Sequence, residues 1–146
     1  MPERAAIEAA PLVRFLATAP GAYPALSALH VLGIALLVGP ILLVDARALG
    51  WLGPALDPAR GLLIRAALAG FALAGATGVM LASVRISEYV GNSAFQLKLL
   101  VLALAGLNAG AHHLARSEGA RRATALASIG LWLGAIAAGR WIAFVV

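Results

Sequence analysis

Residues 24–44 read PALSALHVLGIALLVGPILLV, a run in which His30 is the one ionisable side chain. A helix rises about 1.5 Å per residue, so a run of this length covers roughly 30 Å, the thickness of a bilayer's hydrocarbon core. Three more stretches have the same character. Residues 62–84 carry Arg65 as their only charge. Residues 94–115 hold Lys98 near their start and His112 and His113 near their end, and residues 123–146 enclose Arg140. The expectation is an all-α membrane protein: a four-transmembrane-helix bundle forming a single domain over residues 1–146. An outer-membrane barrel would instead show short alternating segments, which are missing from this chain.

Composition agrees. Of 146 residues 62% are hydrophobic and 12% charged, and the mean hydropathy is +0.95, whereas about a quarter of a soluble domain is charged. The net charge of +5 and pI near 11.1 could suggest nucleic acid, but the cations stand singly at segment ends and form no basic stripe, so no nucleic-acid partner is expected. With zero cysteines, disulfides, thiolate metal sites, iron–sulfur clusters and covalent haem attachment are all excluded.

Ahead of the first span, residues 1–19 mix Glu3, Arg4, Glu8 and Arg14 with Ile7, Leu12, Val13, Phe15 and Leu16. That weak amphipathicity predicts an interfacial helix. A cleaved signal peptide fits less well, because Glu3 and Glu8 spoil a positive n-region and Pro11 splits the apolar run. Pro20, Gly21 and Pro24 should turn the chain into the membrane, with Tyr23 at the interface, and Pro40 should kink the first span. The connections at about 45–61, 85–93 and 116–122 are too short for a soluble domain. Arg47, Arg60, Arg116, Arg121 and Arg122 lie in the first and third of them, against Arg4, Arg14 and Arg85 opposite. In a bacterial inner membrane this bias places both termini in the periplasm.

Small residues four apart mark helix contact faces in lipid. They occur at Gly70, Ala74 and Gly78, at Gly106 and Gly110, and at Gly130, Gly134 and Ala138. Any ridge left over could serve a homodimer or docking into a larger membrane complex.

Ionisable groups inside a span are costly and point to a site. His30, Lys98 and Arg140 fall within roughly 6–9 Å of the same membrane side on three different helices. No acidic residue inside the spans matches them; Glu88 in the second loop is the nearest. Two cations around an imidazole suit haem b, with iron on His30 and propionates on Lys98 and Arg140. They also suit a quinone headgroup, with Tyr23 and Tyr89 as walls. Equally, Lys98 and Arg140 could snorkel to phosphates while His30 bonds a neighbouring backbone. At the other end Asn108 and His112 share a helix face with Lys98 and Ala105, while His113 lies about 100° away. His30 and His112, the two candidate metal ligands, sit at depths of about 9 and 27 Å and so cannot be axial ligands of one haem. Asp45 is expected to pair with Arg47 or Arg65 and fix the first loop.

The runs Tyr23–Leu26, Ala28–Gly33, Asp45–Arg47, Phe95–Lys98, Leu107–Asn108 and Gly139–Ala143 together resemble a bacterial family of small four-helix inner-membrane proteins without an agreed function. More distantly, the HxxG start of the first span is similar to membrane domains of copper-resistance D proteins and b-type cytochromes. The resemblance implies the four-helix fold and adds His30, Lys98, Asn108 and Arg140 as site candidates. An electron-transfer role built on haem or quinone is the leading expectation. A structural or assembly subunit binding lipid or pigment between helices is the alternative. A metal-permeation module would need His30, His112, His113, Met1 and Met80 along one path. An independent enzyme is not expected, since no nucleophile and base pair, carboxylate dyad or phosphate-binding loop can be assembled within the membrane.

Overall fold

The computed structural model describes residues 2–145, and among them the chain is helical without strands. Two short helices, α1 (Pro2–Glu8) and α2 (Pro11–Thr18), precede α3 (Ala22–Ala48). A 3₁₀ turn over Pro54–Ala59 leads into α4 (Arg60–Val84), and the four-residue α5 (Ile86–Tyr89) leads into α6 (Ser93–Leu114) and α7 (Glu118–Val145). Helices α3, α4, α6 and α7 are long and apolar enough to cross a membrane, so the chain is a multi-pass, four-helix membrane bundle.

Its packing is inverted relative to a water-soluble bundle. Large side chains such as Leu62, Val79, Leu107 and Phe144 face outward, and much of the interior is small: Ala67, Ala74, Ala105, Ala125, Ala135 and Ala138. Lipid tails are as apolar as leucine, so helices gain little by hiding leucine and instead associate where backbones approach closely. The α3–α4 pair shows this directly. A Cβ added at Gly33 would lie 2.6 Å from the Ala74 amide nitrogen, and one at Gly70 would run into the backbone of Leu36 and Leu37.

Helices α3 and α4 form one hairpin and α6 and α7 the other, joined by α3 against α7, while α4 and α6 scarcely touch. Leu37, Val38, Ala67, Ala105 and Trp132 make the apolar centre. Among the expected contact ridges, Gly70, Ala74 and Gly78 do meet α3, but Gly106, Gly110 and Gly130 face open space. Instead, α6 turns Ala94 and Ala105 inward. Spacing alone marks a smooth face without saying which neighbour it meets.

At the amino terminus the single expected helix is two. The break falls at Ala9–Ala10, ahead of Pro11, which begins α2. Proline at a first helical position lacks only an N–H that would go unused there. Val13 and Leu16 are buried where α2 meets α3 and α4. Glu8 accepts a hydrogen bond from the Ser87 amide at 3.0 Å, fixing α1 to α5. Gly21, at φ 80°, makes the turn into α3, which then continues through Pro40 without interruption.

The expected pairing of Asp45 is not what the chain forms. Arg47 binds Asp57 through two hydrogen bonds of 2.8 and 2.9 Å, and Arg65 donates to the Gly61 carbonyl at 3.2 Å. Asp45 is 5% exposed and is turned toward Ser128 of α7, with Oδ2 unpartnered. Positions 45 and 47 are about 200° apart on a helix, so one faces the bundle and the other the loop.

Two outcomes are expected. Gly70→Val should destabilise the bundle by about 3 kcal/mol or more, whereas Gly106→Val should stay within about 1 kcal/mol; thermal unfolding followed by circular dichroism in mild detergent measures both. Asp45→Asn, which keeps the shape and removes a buried charge that has no cation, should fold at least as well as the parent, while Asp45→Lys should not fold.

Candidate functional site

Where α4 and α6 part, the bundle holds a cavity of about 440 Å³ lined by residues of all four spans. His30 of α3, Lys98 of α6 and Arg140 of α7 all contribute, and among the described residues no carboxylate does. The remaining lining is apolar or glycine: Phe71 and Gly75 on α4, Phe95 on α6, Trp132 and Gly139 on α7. Glu88, the nearest acidic residue by sequence, is engaged outside the cavity with Arg85 at 3.4 Å.

The space exists because α4 and α7 present glycine where the basic groups lie. A Cβ at Gly78 would sit 3.0 Å from His30 Cε1, and one at Gly139 would sit 3.5 Å from Lys98 Nζ. His30 Nδ1 is 3.0 Å from the hydroxyl of Thr77, which in turn donates to the Leu73 carbonyl at 2.6 Å. Arg140 is exposed at the rim, its guanidinium 5.0 Å from the centre of the Phe144 ring, a cation–π distance. Of the two cations Lys98 is therefore the more enclosed.

Tyr23 and Tyr89, expected as walls, do not line the cavity. Tyr89 stacks on Phe95 with ring centres 5.6 Å apart and planes at 19°, so Phe95 is the wall and Tyr89 its support. Burial, aided by a hydrogen bond with Tyr23, holds the Tyr89 hydroxyl above its usual range. Asn92 accepts a hydrogen bond from the Phe95 amide at 3.1 Å, starting α6 where Lys98 can reach the cavity.

Asn108 and His112 belong to a different place. Asn108 Nδ2 donates to the Thr124 carbonyl at 2.9 Å, and His112 Nδ1 is 2.8 Å from the Thr124 hydroxyl. Together they clamp α6 to α7 near their connection. His113 is exposed. His30 and His112 do not converge, and among the described residues no three histidine, cysteine or carboxylate side chains could hold a metal ion. Met80 does not line the cavity, and Met1 lies outside the described residues. The spacing marks Gly78 only as a helix contact and does not mark Thr77 at all, although both meet His30; a threonine beside a glycine in an apolar run is the available signal.

No protein-family model, curated protein or solved structure matches this chain.

Replacing Asn108 or His112 with Ala should lower the stability of the α6–α7 hairpin by about 0.6 kcal/mol and by no more than about 1.7 kcal/mol, the mean and maximum for hydrogen bonds between membrane helices. Thermal unfolding in detergent would show the loss, and ligand binding at the α4–α6 cavity should be unchanged in the same variants.

Proposed function

We propose that the chain is a bacterial inner-membrane protein whose α4–α6 cavity binds a redox-active ligand drawn from the lipid phase, serving an electron-transfer role. The observation that carries this reading is the meeting of His30, Lys98 and Arg140, from three helices, at one otherwise apolar cavity with no carboxylate in its lining among the described residues. Unmatched cations in a low-dielectric wall favour a ligand with acceptor oxygens. The volume falls within the range of roughly 300–1,000 Å³ usual for small-molecule sites.

A quinone is the better fit. Its ring would lie between the imidazole and the Lys98 ammonium, and its isoprenoid tail would leave through the gap that α4 and α6 do not close. Haem b is the second reading, favoured by an imidazole in the cavity lining and by Arg140 at the rim, placed for a propionate. Among the described residues one histidine reaches the cavity, so such a haem would take a single axial imidazole from them. The excess of arginine in the first and third connections supports termini on the periplasmic side.

Purification in mild detergent, followed by a native mass spectrum and a reduced-minus-oxidised optical spectrum, tests both. A co-purifying quinone mass, reduced severalfold by His30→Ala and by Lys98→Ala, supports the first reading. A Soret shift with an α band, abolished by His30→Ala, supports the second. If neither ligand is present after haem-supplemented expression and quinone reconstitution, the redox reading is overturned. Stoichiometric lipid or a stable partner protein would then favour the structural-subunit alternative.

A further inference from the structure

The polarity of the His30 ring follows from its partners. Thr77 is 4% exposed, and its hydroxyl lies 2.6 Å from the Leu73 carbonyl, four residues earlier on α4. The Ala74 carbonyl is also in reach at 3.3 Å, and a carbonyl can only accept, so the single hydroxyl hydrogen is committed to the backbone of α4, the usual back-bond of a helical threonine. The Thr77 oxygen can then only accept from the imidazole nitrogen 3.0 Å away. Nδ1 therefore carries the hydrogen, and Nε2 of the neutral ring is left as a lone pair.

Lys98, which also lines the cavity, has the opposite character, since an ammonium donates and cannot accept. A ligand ring held between the two must present a donor to His30 and an acceptor to Lys98. A quinone offers carbonyl acceptors at both ends, and one of them would face the Nε2 lone pair. A hydroquinone satisfies both, with one O–H donated to Nε2 and the other oxygen accepting from Lys98.

Building on the quinone reading above, we infer that this cavity is selective for the reduced, hydroquinone form, and that Thr77 is the positioning residue that sets the selectivity by fixing the His30 tautomer. Thr77 touches no ligand; it acts through the imidazole. Removing its hydroxyl frees the ring to carry its hydrogen on Nε2 and to donate to a quinone carbonyl, so the oxidised form should gain what the reduced form loses.

The test compares a short-chain ubiquinone with its chemically reduced hydroquinone, titrated anaerobically by calorimetry into the full chain in lipid nanodiscs. The parent should bind the hydroquinone about 10-fold more tightly, the worth of one hydrogen bond made rather than opposed. Thr77→Val, close in shape, should bring the ratio to about one, and Thr77→Ser should restore it, with helicity by circular dichroism unchanged in both. A general packing defect would weaken both forms together and would not be rescued in the ratio by serine. Equal affinities in the parent, or an undiminished preference in Thr77→Val, would overturn the inference while leaving the quinone site standing. Binding of neither form would overturn the ligand class, and the inference with it.

Discussion

The close approach of α3 and α4 at Gly33 and Gly70 is the constraint on which the remaining architecture depends. In lipid there is no hydrophobic gain from hiding one apolar helix behind another, so cohesion comes from van der Waals contact and from hydrogen bonds between helices. Backbone atoms meet there at distances that no side chain could share. This contact sets the register of the hairpin, and the register brings His30 level with Thr77 and Gly78. A displacement of α4 by a single residue would rotate its small face by about 100° and leave the imidazole without its partner.

Cohesion is unevenly distributed around the bundle. The two hairpins are internally close, α3 meets α7, and the circuit stays open between α4 and α6. Glycine appears on both sides of the opening for different purposes. At Gly33 and Gly70 it admits a backbone; at Gly78 and Gly139 it makes room beside a basic side chain. The same residue type therefore builds the scaffold and the cavity, with only the tertiary neighbour distinguishing the two uses.

Both ends of the bundle repeat one polar device. A helical threonine gives its hydroxyl hydrogen to a carbonyl of its own helix and receives a histidine from the neighbouring one: Thr77 with His30, Thr124 with His112. At the α6–α7 end Asn108 joins the pair and the result is a clamp. At the cavity the imidazole shares the lining with a lysine, and the result is a candidate site. Among the described residues Asp45 is the one carboxylate side chain turned into the interior, and it finds a serine there and no cation, because its arginine neighbours are turned to the loop and to their own backbone.

The sequence by itself determined the four spans, since crossing the hydrocarbon with every backbone group satisfied admits little besides runs of some twenty apolar residues in helices. It also brought forward His30, Lys98 and Arg140, because a charge inside such a run needs a reason to be there. Only the tertiary structure decided which glycines are contacts, that Asp45 faces Ser128, that Phe95 and not a tyrosine walls the cavity, and that Thr77 holds the histidine. Those choices turn on the rotation of each helix about its own axis. Lipid surrounds the bundle with a solvent as apolar as its interior, so no hydrophobic stripe records that rotation in the amino-acid order.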